Sequence, residues 1–389
     1  MKGQRITVIG AGIAGLALAR ALAMKGANVV VLEQAPEIRE VGAGLQITPN
    51  GIRVLNALGL GAGGEPAGQR AEAIELIDGE TGGRVLRLDL MKLRPNLQFR
   101  FFHRADLIAL LADGARAVGV EIRLLQQIDT VTLGQGAPKV RTAQGAEIET
   151  DILIGADGLH SRVREALNGK VAPFFTHQVA WRATLPADGD IPPVARVFMG
   201  AHRHVVTYPL RGGRLRNIVA VEERRRWAEE SWSLTDDPLT LRIAFEDFAP
   251  ELRGWLDQIE RPNLWGLFRH PVAERWHGHG AAILGDAAHP TLPFLAQGAN
   301  MALEDAWVLA ECLSKASTAD AAFTAYQTRR EPRVKRIVAA ANANAKNYHM
   351  SGIRRDVAHA GLRFLNRFSP ATMLNRFDWL YGFDPAEGF

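Results

Sequence analysis

Apolar residues follow two rhythms along this chain, and each change of rhythm marks a boundary. Ile6-Thr7-Val8-Ile9 is a short apolar strand, residues 13–24 carry helical spacing, and Val29-Val30-Val31-Leu32 is a second buried strand. That sequence of elements is a β-α-β unit. A helix is expected over 49–58. Alternating runs at 73–77 and 84–88 flank Asp78-Gly79-Glu80-Thr81-Gly82-Gly83 as a hairpin. Residues 103–117 read as helix, 120–124 as strand, 128–150 as short strands with Gly-containing turns, and Ile152-Leu153-Ile154 as another buried strand.

From 174 to 270 the texture changes. Alternation at 178–185, 195–199, 204–209 and 216–221 predicts an antiparallel sheet, followed by helix over 238–256. Ala281-Ala282-Ile283-Leu284 returns to the short apolar strand type, and long helices follow at 299–316 and 319–347. The pattern describes a nucleotide-binding domain interrupted by a β-rich insertion and closed by helices. The expected divisions are 1–173 (with small inserted strands at 73–100), 174–270, 271–316 rejoining the first part, and a helical 317–389.

Composition narrows the classes. With 389 residues, 47% hydrophobic and 23% charged, the chain can bury a large core. A net charge of +4 is small for this length and supports no nucleic-acid partner, although it suits an anionic substrate. The run Arg224-Arg225-Arg226 reads as solvated surface. A single cysteine, Cys312, excludes disulfides and Cys-rich metal sites and reads as an inert buried thiol. Met1 leads straight into a strand without a signal-peptide design, and no apolar run approaches a membrane span. A soluble, cytoplasmic protein is expected.

Three blocks carry the chemistry. In Gly10-Ala11-Gly12-Ile13-Ala14-Gly15 the first glycine allows a tight turn and the second lets backbone approach a pyrophosphate. The third lets helix and strand pack closely. Glu33 ends the second strand, where a carboxylate accepts hydrogen bonds from a ribose diol, and it disfavours a 2′-phosphorylated ribose. This block alone leaves NAD and FAD open. The second block is Gly155-Ala156-Asp157-Gly158 with Ser161 and Arg164, and the third is Gly285-Asp286-Ala287-Ala288-His289-Pro290. Either could be an ordinary strand-to-helix turn with Asp as cap and Gly at positive φ.

Together, in this order and spacing, the blocks resemble the single-component FAD-dependent monooxygenases, the flavoprotein aromatic hydroxylases. The resemblance covers essentially the whole chain. It implies an α/β fold with a Rossmann-like FAD-binding domain of the glutathione-reductase type, an inserted β-sheet substrate domain and a C-terminal helical segment. Gly10, Gly12, Ala14 and Gly15 would cradle the FAD pyrophosphate, Glu33 and Gln34 would hold the adenosine ribose, and Arg104 would contact the cofactor. Asp286 would bind the ribityl chain. Asp157 would support the pyrophosphate region and the transient nicotinamide.

After Asp286, the segment Gln297-Gly298-Ala299-Asn300 puts a helix N-terminus where a reduced flavin carries negative charge. Many members have Gly where this chain has Ala296, and the Leu-Ala-Gln-Gly form looks closest to the salicylate and 3-hydroxybenzoate 6-hydroxylase branch. Glu304 and Asp305, in the first turns of that helix, read as dipole compensation. Gly42-Ala43-Gly44-Leu45-Gln46 looks like the family's flexible loop beside the flavin. Arg39 and Glu40 precede it without an assigned role.

His204, Val206 and Tyr208 alternate onto one strand face. A His and a Tyr there could bind and deprotonate a phenol, or simply pack as an aromatic pair. The branch resemblance favours the first, with Gln297 as a third polar contact. His289 reads as loop stabilisation. His270, His277 and His279 lack ligand partners, so no metal is expected.

The implied activity is hydroxylation of an aromatic hydroxy acid (salicylate, 3-hydroxybenzoate or hydroxynicotinate type) by O2 and NAD(P)H through a C4a-hydroperoxyflavin. FAD would be tightly but non-covalently bound, with NADH or NADPH as transient cosubstrate. No second Gly-x-Gly-x-x-Gly unit follows a strand, so a dedicated nicotinamide domain is not expected. Paired cysteines of a disulfide reductase and the Trp-x-Trp-x-Ile-Pro signature of halogenases are missing. Rival readings are a hydroxylase of lipidic phenols, of the ubiquinone-pathway type, and a non-catalytic FAD-binding protein. By resemblance alone, NADH and a homodimer are favoured.

Overall fold

The computed structural model describes residues 3–38, 43–187, 191–224 and 235–387. Met1, Arg39, Glu40, Gly42, Arg225 and Arg226, all discussed above, lie outside them. Arg5–Ile9 pairs in parallel with Asn28–Leu32 on one side and with Ile152–Gly155 on the other. Ala281–Ile283 extends the sheet beyond Ile152–Gly155, and Glu121–Arg123 extends it beyond Asn28–Leu32. A short antiparallel edge, His277–Gly278, completes six strands. Their central strands are near-continuous apolar runs because helices or loops cover both faces. The helix Ile13–Met24 is buried along almost its whole length, packed between Arg104–Ala117 and Gly298–Lys315.

One consequence of this order governs the site. The three blocks follow three adjacent parallel strands, so all of them meet at the carboxyl edge of one sheet, where α/β proteins bind ligands. The junctions are tight: Ala156 N donates to Ile9 O (2.8 Å) and Leu284 N to Gly155 O (3.1 Å).

The second sheet has seven strands, in the order Asn263–Arg269, Phe174–Pro186, Leu215–Glu223, Arg203–Leu210, Val194–Gly200, Ala73–Asp78 and Arg84–Asp89. Here the structure departs from the expected divisions. The 73–89 hairpin belongs to the substrate-side sheet, because Ala73–Asp78 runs parallel to Val194–Gly200 across a long chain separation. Local alternation identifies a hairpin but not its non-local partner. The expected helix over 238–256 is two helices, Pro238–Ala244 and Pro250–Leu256. Pro250 cannot continue a preceding helix, and it starts the next one instead.

Those two helices cover the outer face of the sheet. Leu241, Phe245, Phe248 and Leu252 pack on Trp181, Phe198, Val205 and Ile218. The opposite face carries Ala180, Arg182, Val219, Val221, His204, Val206 and Tyr208. On this side Ala180, Val221 and Leu267 pack against Leu292 and Phe294 of the segment after the third block. Cys312 is buried in the helix Gly298–Lys315. Among the described residues, no helix is long and apolar enough to cross a membrane, and no group of three or more His, Cys, Asp or Glu could hold a metal ion.

Candidate active site

The glycines of the first block divide into two kinds. Gly10 has φ of +101°, and a Cβ there would sit 2.4 Å from Ala156 O. At Gly15 a Cβ would sit 1.9 Å from Gly10 O. Both are internal constraints: any side chain would push the turn away from its neighbours. Gly12 differs. It has φ of −78° and no protein atom within 4 Å of a built Cβ, so its bare backbone faces open space at the helix N-terminus. That is the opening a pyrophosphate needs. Ala14 is buried and would lie 3.1 Å from a Cβ at Gly285, so it helps bring the third block against the first.

Glu33 accepts from Ala11 N through Oε2 (2.7 Å) and from Ala35 N through Oε1 (2.9 Å). It fixes the glycine loop to the second strand, and each oxygen retains a lone pair for a ribose hydroxyl. Gln34 beside it is exposed at the same edge. Arg104 opens its helix, with its N–H donating to Ala43 O (2.9 Å). Asp286 projects from the turn Gly285–Ala287 and is solvent-accessible. Desolvation there raises its carboxyl above the usual range, against the pull of His289 and Arg104. Arg104 and Asp286 thus act on one another electrostatically, as cofactor contacts on one cleft would.

Asp157 turns into its own loop. It accepts from Ser161 Oγ (2.5 Å) and Arg162 N (2.8 Å), while Ser161 caps the helix by accepting from Arg164 N (3.0 Å). Any influence on a cofactor passes through the backbone it holds.

The helix Gly298–Lys315 presents Gly298, Ala299 and Asn300 as its first turn, and its first intrahelical bond is Met301 N to Gln297 O (2.7 Å). The amides before Met301 point out of the helix and can stabilise an anion. Ala296 adopts the left-handed conformation, φ +54°, the geometry for which glycine is the unstrained choice. The Asn300 side chain faces inward: its Oδ1 accepts from Thr48 N (2.9 Å), and its Nδ2 donates to Gln46 O (3.1 Å) and Ala296 O (2.6 Å).

Two expectations change here. Gln297 is buried, its Nε2 donates to Thr48 Oγ1 (3.0 Å) and Leu295 O (3.2 Å), and its Oε1 accepts from Asn50 Nδ2 (3.1 Å). Both amide hydrogens are committed within the protein, so the Gln297 side chain braces the helix start. Glu304 and Asp305 do more than compensate a dipole. They form a fully buried ion network with Arg330, and Glu304 also pairs with Arg333.

On the substrate side, His204 and Tyr208 share the inner sheet face, as the alternation requires, but their Cα atoms are about 13 Å apart along the strand. They bracket a space and cannot share one hydroxyl. Tyr208 stacks on Phe101 (centroids 5.0 Å, 23°), and burial pushes its phenol well up, despite Arg182 nearby. Gly44 lets the neighbouring strand approach: a Cβ there would meet the Tyr208 ring at 2.5 Å, and Gly44 N donates to Asn217 Oδ1 (2.8 Å). His204 lies between Phe294 (5.6 Å) and Tyr348 (5.2 Å), and its Nδ1 is 2.7 Å from His349 Nε2. Burial, then His349, drive its pKa well below the ordinary value, so the ring is neutral and one of its nitrogens carries a lone pair.

Sequence reasoning missed Arg182 and His349. Arg182 lies over the Trp265 ring at 4.0 Å, and its buried Nε has no hydrogen-bond partner. Desolvation lowers its pKa to about 10. The available signal was an arginine at an inward position of the strand, between Ala180 and Thr184 on the same face. His349 ends a long helix far away in sequence, and nothing local marks it.

A Rossmann-type sheet with an open glycine cradle, an outward-facing helix start and an adjoining antiparallel sheet is the architecture of a dinucleotide-binding enzyme. The chain belongs to the FAD binding domain family, which matches residues 4–341. It is 34% identical to 3-amino-4-hydroxybenzoate 2-monooxygenase PtmB3 of Streptomyces platensis, over 98% of this chain and 96% of that one. It is 33% identical to 3-hydroxybenzoate 6-hydroxylase of Klebsiella oxytoca, covering 98% and 97%. An FAD-bound variant of Klebsiella pneumoniae HpxO superposes with a TM-score of 0.84 at 25% identity, covering 97% of this chain and 98% of that one. The protein is an FAD-dependent oxidoreductase of the monooxygenase class, with NAD(P)H as cosubstrate.

Proposed function

We propose that this enzyme hydroxylates a small anionic aromatic hydroxy acid of the hydroxybenzoate or hydroxynicotinate type. The observation that carries the reading is Arg182, a half-buried arginine whose Nε is buried and unpartnered, on the same sheet face as His204. A buried cation without a full set of partners is costly, and a substrate carboxylate would supply the missing charge and acceptors.

The roles then divide. Arg182 holds the carboxylate, and Tyr208, protonated at any working pH, donates a hydrogen bond at that end of the pocket. His204, neutral at the other end, takes the phenolic proton and makes the ring electron-rich. Gly10, Gly12, Gly15, Glu33, Gln34, Arg104 and Asp286 would hold FAD, and the amides of Gly298, Ala299 and Asn300 would face its anionic edge. Bound FAD supplies hydride acceptance from NAD(P)H and oxygen activation. Val206, Val219 and Phe294 keep water from the ring. NADH as the preferred donor, a homodimer and a cytoplasmic location belong to the same proposal.

The test is a screen of the purified yellow protein against salicylate, 3-hydroxybenzoate, 3-amino-4-hydroxybenzoate and 6-hydroxynicotinate. NADH consumption and hydroxylated product are measured together, for wild type and Arg182→Met. One acid should be turned over with good coupling, and Arg182→Met should raise its KM with FAD still bound. Turnover of neutral long-chain phenols only, or an unchanged KM in Arg182→Met, would overturn the reading.

A further inference from the structure

A base buried as deeply as His204 must pass its proton on before it is of use. The structure provides a path. His204 Nδ1 is 2.7 Å from His349 Nε2, His349 Nδ1 is 2.7 Å from Glu223 Oε1, and Glu223 Oε2 is 2.8 Å from His202 Nδ1. Exposure rises along the chain: His204 is 2% exposed, the His349 side chain 2%, Glu223 40% and His202 67%. Four elements converge to build it. His204 lies on the strand Arg203–Leu210, Glu223 ends Leu215–Glu223, His349 caps the helix Ala319–Tyr348, and His202 occupies the turn before the first strand. Backbone bonds tie the ends together, from His202 N to His349 O (3.3 Å) and from Glu223 N to His202 O (2.9 Å).

We infer that His349 and Glu223 form a proton exit linking the substrate hydroxyl at His204 to solvent. The inference rests on His204 being the base of the proposed reaction.

The hydrogen-bond chemistry sets the direction. An ionised carboxylate only accepts, so His349 Nδ1 carries the hydrogen. Its Nε2 is then the acceptor, which places a hydrogen on His204 Nδ1 and leaves His204 Nε2 with the free lone pair. The surface carboxylate thereby fixes the basic nitrogen on the substrate side. In the forward step the substrate O–H bond breaks and an N–H bond forms at His204 Nε2. The Nδ1 hydrogen of His204 moves to His349 Nε2, that of His349 Nδ1 moves to Glu223, and the half-exposed Glu223 gives it to water. The products are a bound phenolate and one proton in solvent, with both rings neutral and their tautomers exchanged. Reprotonation of the product along the same path resets both rings. Packing alone would explain a His–His stack, but it would not require an acceptor carboxylate at the exposed end of an unbroken series.

The groups facing this series are Glu223, His202, the Tyr348 phenol and the neighbouring Phe294 ring. Burial pushes the Tyr348 phenol up to about 12, so it does not compete for the proton.

The first measurement needs no substrate. In 15N-histidine-labelled holoenzyme, with signals assigned through His349→Asn and His204→Asn, both imidazoles should show the Nδ1–H tautomer. An Nε2–H tautomer at His349 would overturn the inference. The second uses whichever acid the screen identifies, following phenol deprotonation by stopped-flow absorbance with a pH indicator. Glu223→Gln keeps an acceptor for His349 but cannot carry a proton, and should slow deprotonation about tenfold or more. His349→Asn should slow it similarly, with partial rescue by added imidazole, and Glu223→Asp should restore it. Wild-type deprotonation rates in Glu223→Gln and His349→Asn would overturn the exit. If His204→Asn alone then loses coupled hydroxylation, the base assignment still stands. If His204→Asn keeps normal coupling, the base assignment itself has failed.

Discussion

Asp305 and Arg330 are joined inside the protein by a 2.7 Å hydrogen bond from Nε to Oδ1, with both side chains at most 1% exposed. The other Asp305 oxygen accepts from Gly285 N (3.0 Å) and meets His289 Nε2 at 2.5 Å. Arg330 also binds Glu304 (2.5 Å), which Arg333 and Asn50 complete. Burial alone would raise both carboxyls, but His289 and Arg330 hold Asp305 low, and Arg330 and Arg333 hold Glu304 low. A buried network of this kind fixes the turn that carries Asp286. Arg330→Met leaves a buried carboxylate short of its cation and should cost about 3–5 kcal/mol. Thermal and urea unfolding of the holoenzyme would measure it, and FAD should dissociate more readily. An unchanged unfolding midpoint would show that the network contributes little.

The two kinds of glycine in the first block make separable predictions. A Cβ at Gly15 has nowhere to go, so Gly15→Ala should destabilise the protein even without FAD. Gly12→Ala meets no protein atom and demands no unusual φ. It should leave apoprotein unfolding within about 1 kcal/mol of wild type, since the added methyl sits in solvent at a helix start. It should nevertheless weaken FAD binding, because the methyl occupies the approach to the cradle. Unfolding curves of apoprotein and FAD titration by flavin fluorescence separate the two. Equal loss of apoprotein stability in both variants would contradict this division.

The cofactor side was legible in the sequence because its signals are local. Glycines, a strand-terminal Glu33 and the Asp286 turn each stand within a few residues of the elements that use them, and the sheet order brings them together. The substrate side was legible only in part. Alternation placed His204 and Tyr208 on one face, but it could not reveal that Arg182 two strands away shares that face or that His349 from a distant helix meets His204. For Gln297 only the position was legible. Its position beside the helix start was right, but its side-chain direction depends on Thr48 and Asn50, far away in sequence.

Gly44 connects the two halves of the site. A Cβ there would come within 2.5 Å of the Tyr208 ring and 2.8 Å of Asn217, both buried. Gly44→Ala should therefore push the strand Gly44–Ile47 away from the substrate sheet while leaving the glycine cradle intact. Overpacking of this kind typically costs about 1–3 kcal/mol. The expected signature is an increase in KM for the aromatic acid and poorer coupling, at nearly unchanged FAD affinity. A loss of FAD with no change in KM would place the strain elsewhere.

Acid should destabilise the fold before the carboxylates of the ion network begin to protonate. His204 and His349 are both depressed below the ordinary histidine value, chiefly by burial. In the unfolded chain they take up protons as pH falls through about 6.5, while in the folded protein they resist. The unfolded state then binds more protons, so stability falls with pH from that point downward, by up to about 1.4 kcal/mol per pH unit for each fully suppressed histidine. Asp157 and Asp286, whose carboxyls local desolvation raises, act in the opposite sense and blunt the loss as they protonate. Asp305 and Glu304 are held low, so their contribution persists until more acidic conditions. Urea unfolding between pH 7.5 and 5.5 should show the decline, and His204→Asn, which removes one suppressed site, should flatten it. If the variant and wild type lose stability in parallel over that range, His204 is not buried in its neutral form and the base assigned to it loses its physical footing.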